Sequence, residues 1–141
     1  LGKSAYVKLV NGSVQQEITI DQVKELLNKY IENTGKLAEQ LDWEYHESAF
    51  PYTIQEKAEG DTKYLYLKAK DELYNYLIIG VGSEEVDGHT TQFIQVVLPD
   101  EDYRTPGDQA KGNEFSKYLA KKLKAELHLF NGRVLYYNPR K

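Results

Sequence analysis

Cysteine is absent from the chain. That excludes disulfides, thiol catalysis and cysteine-ligated zinc or iron–sulfur sites. A small chain that needs no covalent staples fits the cytoplasm. Methionine is absent too, even at position 1, so the numbered chain begins after an initiator, at a non-standard start or at an edited end. No apolar run approaches the roughly 20 residues that span a bilayer. The opening LGKSAYVKLV lacks the long apolar stretch and small-residue cleavage site of a signal peptide. No membrane role is expected. A basic excess is also missing: the net charge is −4 and the pI about 5.4. A protein that gripped phosphates would carry a basic surplus or stripe. The one basic cluster, Lys121, Lys122 and Lys124, falls at a predicted helix end, where the macrodipole accounts for it. Nucleic acid is not an expected partner.

Familiar catalytic signatures are missing as well. The three histidines, His46, His89 and His128, have no HExxH or paired metal spacing. No G-x-S-x-G elbow is present. Gly80-x-Gly82 follows a strand, but a dinucleotide loop needs a third glycine and a helix N-terminus facing the phosphates. Glu84, Glu85 and Asp87 follow instead and would repel them. The two glycines read as a bulge or a tight strand end. Asp71, Glu72, Asp100, Glu101 and Asp102 fall where a meander would bring them to one sheet edge, and oxygen-rich clusters attract Ca²⁺ or Mg²⁺. There is no EF-hand spacing, and a solvated acidic loop is the simpler reading. No cofactor or metal is expected, and no catalytic residue is assigned.

What the chain does hold is a legible alternation. Its 141 residues suit a single α+β domain spanning 1–141. SAYVKLV reads as a first strand, with Ala5, Val7 and Leu9 on one side and Tyr6, Lys8 and Val10 on the other. Thr19 and Gln22 form a capping box, flanked by a staple of Ile18 and Val23. Apolar residues then recur at helical spacing from Ile20 to Leu41. One helix is expected there, at a cost of about 1 kcal/mol for Gly35; a break at Asn33–Gly35 is the alternative. PYTIQEKA, TKYLYLKAK, YNYLIIGVG and TQFIQVVLP follow as four strands, with breaks at 59–61, 70–73 and 82–88. Short breaks suit an antiparallel meander. A second helix starts at Thr105-Pro106 or at Asn113 and runs by spacing through Leu127 and Phe130 to a stop at Asn131-Gly132. RVLYYN is a closing strand. The order is strand, helix, four-strand meander, helix, strand: an α+β fold with two helices on one face of a mainly antiparallel sheet.

That leaves the other sheet face. Leu65, Leu67, Ala69, Leu77, Ile79, Val81, Ile94, Val96 and Leu98 share the aliphatic side. Opposite them stand Tyr64, Tyr66, Tyr74, Tyr76, Ile78, Phe93 and Val97. A half-solvated antiparallel sheet normally carries polar residues outward, and 12 tyrosines are well above ordinary usage. Three readings follow. The termini, the 99–112 loop or a curled sheet cover the rings; the face is a homodimer interface; or it is a concave site for a ligand or peptide. The segment LDWEYHESAFPYTI, residues 41–54, adds Trp43, Tyr45 and His46. They read as a packed corner ending the first helix, or as a rim beside the same site. The expected binding set is Trp43, Tyr45, His46, Tyr64, Tyr66, Tyr76 and Phe93.

KSAYVKLVNGSVQQEITIDQVKELL, taken with LDWEYHESAFPYTI, resembles a small uncharacterised family from Bacillus-type spore-forming bacteria, known only as a domain of unknown function. The resemblance covers most of the chain. It implies a bacterial, intracellular protein and carries no functional residue. A meander around a helix with aromatics on one side is also similar in outline to FK506-binding prolyl isomerases. Those need an apolar aromatic pocket rather than an acid–base pair. The expected function is a non-enzymatic interaction module that uses the tyrosine-rich face as a homodimer or with a protein or peptide partner. The alternative is an aromatic-pocket ligand binder or isomerase.

Overall fold

The fold is taken from a computed structural model. It describes residues 3–41, 50–70 and 72–139, and for 35–41 the backbone alone. In chain order the elements are β1 (Ser4–Lys8), α1 (Ile20–Leu41), β2 (Tyr52–Glu59), β3 (Thr62–Ala69), β4 (Tyr76–Val86), β5 (His89–Val97), α2 (Pro106–Leu123), β6 (Glu126–His128) and β7 (Val134–Tyr136). The strands form one sheet in the order β2-β3-β4-β5-β1-β6-β7, and every pairing is antiparallel. The N-terminal strand therefore closes the meander and offers its free side to the C-terminal hairpin.

Local chemistry sets the ends of these elements. At α1 the capping box is reciprocal: Thr19 N donates to Gln22 Oε1 at 3.0 Å, and Gln22 N to Thr19 Oγ1 at 3.2 Å. The helix runs unbroken past Gly35 to Leu41. Buried Thr34 turns its hydroxyl back onto the Tyr30 and Ile31 carbonyls. At α2, Thr105 is the N-cap and Pro106 the first helical residue, so the earlier of the two expected starts is the right one.

The end of α2 differs from the expected one. The helix stops at Leu123, where Lys124 adopts φ 51°, ψ 52° and Ala125 N bonds the Ala120 carbonyl. Residues 126–128 then become β6 along β1. Leu123 and Leu127 fit a helical stripe, but Ala125 and Leu127, both fully buried, fit a strand equally well. The unpaired side of β1 decides between them, because it needs backbone partners. His128 therefore lies in a strand, 2.7 Å from Glu126 Oε1, and not at a helix end.

Two further differences lie in β4. It continues through Gly82 to Val86, and the turn into β5 is Asp87-Gly88 alone, with φ 52° and 79°. Positive φ at both positions is the two-residue hairpin turn that matches strand twist. Gly80 and Gly82 thus sit in regular register against Gln95 and Phe93, with neither bulge nor strand end. Tyr74 precedes the strand. It packs on Tyr52 at 5.6 Å and beside Gly107, on the helix side rather than with the tyrosines of the other face.

The aliphatic side of the sheet is the core. Leu65, Leu67, Leu77, Ile79, Ile94 and Val96 are fully buried beneath Val23 and Leu27 of α1 and Phe115 and Leu119 of α2. Gly112 lets α2 approach closely: a Cβ there would stand 2.9 Å from Leu98 and 3.2 Å from Phe130.

Candidate binding face

Both helices pack into one hydrophobic cluster with the aliphatic side, which leaves the opposite face of the sheet without a helix among the described residues. The second half of the 99–112 segment is the first turns of α2, and its first half brings Asp100 and Tyr103 within electrostatic range of Tyr76. Strand alternation places Tyr64 and Tyr66 of β3, Tyr76 and Ile78 of β4, and Phe93 and Val97 of β5 on this face. All six are half-buried.

The rings are organised in two pairs. Tyr66 and Tyr76 stack at 5.5 Å and 21°. On the β2 side the Lys57 ammonium lies 4.6 Å from the Tyr66 ring centre. The Tyr66 ring thus contacts both a cation and a second phenol. Tyr6 and Phe93 form the second pair, edge to face at 5.2 Å.

Between the pairs lies a well. Gly80 is at the centre of the sheet, and a Cβ placed there would meet only Tyr64 Cβ, at 4.0 Å. Across from it are Tyr64 and Gln95. Along the strand stand Ile78 and, over Gly82, the Phe93 ring, 2.8 Å from where a Gly82 Cβ would be. One glycine is therefore filled by a neighbour's ring and the other is open. Gln95 is fixed by a 2.8 Å bond from Nε2 to Ser4 Oγ. Beyond Phe93, the Lys8–Glu84 ion pair at 2.8 Å bridges over β5.

Electrostatically the face is quiet. Tyr76 has its pKa raised, first by burial and then by the negative charge of Asp100, so the phenol stays neutral well into alkali. Among the described residues no three His, Asp or Glu side chains stand together as metal ligands. The acids expected at one sheet edge do not gather into such a group, although Asp71 lies outside the described residues. His89 lines an open hollow of about 530 Å³ with Leu9, Val10, Asp87 and Thr91 at the β4–β5 tip, away from the rings.

Of the residues expected to bind, Tyr64, Tyr66, Tyr76 and Phe93 share this face. Trp43, Tyr45 and His46 lie outside the described residues. Phe50, at the same corner, is buried against Tyr30, Tyr52 and Phe115. That helix-side aromatic cluster is packed shut: Phe50, Tyr52 and Phe115 are 3% exposed or less. Sequence reasoning left out Tyr6, Gly80 and Gln95. Tyr6 has the right alternation, but nothing in chain order places β1 beside β5.

The chain matches a family profile described as Domain of unknown function (DUF1885) over residues 3–139. It is also similar to a protein of unknown function from Bacillus stearothermophilus known from a crystal structure. The two are 41% identical over 87% of this chain and 91% of that one, with a TM-score of 0.55. No curated protein matches.

Proposed function

The chain belongs to this family, domain of unknown function DUF1885, and from its own geometry we propose that it is a non-enzymatic interaction module whose working surface is the tyrosine-bearing sheet face. One observation carries the reading. The four strands β3, β4, β5 and β1 present Tyr64, Tyr66, Tyr76, Ile78, Phe93, Val97 and Tyr6 on the face that the helices leave bare, where a solvated sheet would carry polar ones. Tyrosine suits such a surface, since each ring offers apolar area and a hydroxyl at little conformational cost. No helix among the described residues is long and apolar enough to cross a membrane. The cysteine-free composition suits work inside a bacterial cell.

Stability tests the reading directly. Rings that serve a partner contribute little to the isolated chain, so Tyr66→Ala and Phe93→Ala should each cost about 1 kcal/mol or less. Buried aromatics truncated to alanine cost about 3–5 kcal/mol, and a loss of that size would make the face part of the fold and end the proposal. Light scattering on the same variants then separates the partners. A dimer that Tyr66→Ala converts to monomer makes the partner a second copy; a monomer at all concentrations makes it another molecule.

A further inference from the structure

We propose that the outer edge of β2 pairs with β2 of a second copy of this chain, antiparallel and about a two-fold axis at Gln55. The proposal goes beyond the tyrosine-face reading and does not rest on it.

The two ends of the sheet differ. β7, at one end, is three residues long, too short to template another strand. β2, at the other, runs eight residues from Tyr52 to Glu59 and pairs with β3 in unbroken register, with no internal proline. In an antiparallel pair the backbone groups of successive residues turn to opposite sides of the strand. Lys70 N donates to the Pro51 carbonyl at 2.9 Å, so Pro51 and every second residue after it, Thr53, Gln55, Lys57 and Glu59, turn toward β3. The N–H and C=O groups of Ile54, Glu56 and Ala58 therefore point away from the sheet. Among the described residues no backbone group meets them.

Water can serve these groups, so an open edge alone selects no partner. The charges along β2 do. Glu56, Lys57 and Glu59 would ordinarily blunt an edge, yet their positions favour one symmetric register. With Gln55 opposite Gln55, Ile54 of each copy faces Glu56 of the other, which joins open backbone groups by four hydrogen bonds. Lys57 then faces Thr53, Glu59 faces Pro51, and no like charges meet. An axis at Glu56 would set Glu56 on Glu56, each already tied to its own Lys24 at 3.3 Å. An axis at Lys57 would set Lys57 on Lys57. Like charges directly opposite destabilise a strand pair. An axis at Ile54 joins Ile54 to Ile54 alone among the open residues and carries Ala58 past the start of the other strand. The strand is thus complementary to itself in one alignment, where the Gln55 amides, each both donor and acceptor, meet on the axis. The axis stands perpendicular to the sheet, so the tyrosine faces of both copies lie on the same side.

The absence of cysteine makes the test direct. Gln55→Cys places two thiols in a pair without mutual backbone bonds, with Cα atoms about 4.5 Å apart and within disulfide reach. Air oxidation should convert this variant to a covalent dimer. Thr53→Cys and Lys57→Cys should not cross-link to themselves, since like residues would stand about 14 Å apart, but should cross-link to each other when mixed. One strand per copy is a small contact, so the native chain should be half dimer at roughly 0.1 mM in sedimentation equilibrium. Gln55→Lys and Gln55→Glu should each be monomeric, and an equal mixture should dimerise again. Unchanged melting temperatures of these variants in dilute solution keep loss of pairing apart from loss of fold. A native chain that stays monomeric up to about 1 mM overturns the proposal. Self-cross-linking of Thr53→Cys as fast as that of Gln55→Cys overturns it too. A dimer that Phe93→Ala dissolves and Gln55→Lys leaves intact belongs to the tyrosine face, and overturns the edge while upholding that face as a surface.

Discussion

The Tyr52 hydroxyl donates a 2.6 Å hydrogen bond to Asp108 Oδ1 across 56 residues of chain, with both residues closed to solvent. The same carboxylate accepts the Asn75 backbone N–H on both oxygens, at 3.0 and 2.9 Å. Asp108 lies in the first turn of α2, where a negative charge is favoured by the helix dipole. It ties the start of β2, the approach to β4 and the helix N-terminus to one point. Hydrogen bonds to charged groups contribute about 1.5–3 kcal/mol, so Tyr52→Phe should lose that much. Asp108→Ala strands two donors and should cost about 3 kcal/mol or more. Urea unfolding measures both, and the double variant should lose less than the sum. Additive losses would mean the two groups act independently.

Neighbours on β3 should separate the two sheet faces. Leu67 is fully buried and its alanine variant should cost about 2–5 kcal/mol. Lys68→Ala, one residue along and on the other face, should stay within about 0.5 kcal/mol. Chemical unfolding at constant slope is the appropriate measure. Similar losses from the two would contradict the alternation on which the binding face depends.

That alternation was legible because period two survives in every central strand, and the buried set Leu65, Leu67, Leu77, Ile79, Ile94 and Val96 is the aliphatic half of the pattern. The capping box of α1 was legible for a similar reason, since Thr19 and Gln22 act within one turn, whereas the start of α2 was narrowed only to Thr105-Pro106 or Asn113. The misplaced features depend on long-range partners. Leu123–Leu127 satisfies helix and strand spacing alike, and only the open side of β1 makes 126–128 a strand. Tyr74 belongs by alternation with Tyr76, but lies before the strand begins and turns to Tyr52. The candidate face was half visible. Its tyrosines follow from β3 and β4 alone, whereas Tyr6 and the open well at Gly80 require knowing which strands lie side by side.

Alkali should destabilise the fold through a phenol on the helix side. The Tyr118 hydroxyl is buried and finds no hydrogen-bond partner among the described residues, and burial raises its pKa above the ordinary phenol value near 10. A raised folded pKa means that the unfolded chain loses this proton first. The associated stability is therefore complete below about pH 10 and lost as pH rises through the folded value. Tyr118→Phe should flatten the alkaline limb of a melting-temperature profile. It also removes an unsatisfied polar atom, so it should leave stability at neutral pH unchanged or slightly higher. An alkaline limb of unchanged slope would assign that loss to other groups.

Three glycines offer a closing comparison, because the space at each differs. Gly80 has ordinary negative-φ backbone and no atom nearer than 4.0 Å to a new Cβ. Alanine there restricts the unfolded chain without a clash and should raise stability by about 0.5–1 kcal/mol. At Gly82 the Cβ would meet the Phe93 ring at 2.8 Å, but a ring on an open face can swing aside. The cost should be modest, about 1 kcal/mol, with Phe93 leaving its contact with Tyr6. Gly107 is the severe case. Its Cβ would stand 2.7 Å from the Leu73 carbonyl oxygen and 2.7 Å from Tyr74, and a backbone atom cannot rotate away. Gly107→Ala should cost about 2–3 kcal/mol and loosen the first turn of α2. Melting temperatures ordered Gly80→Ala, wild type, Gly82→Ala, Gly107→Ala would establish an open well at the sheet centre. A Gly80→Ala variant that melts below wild type would place something over that glycine.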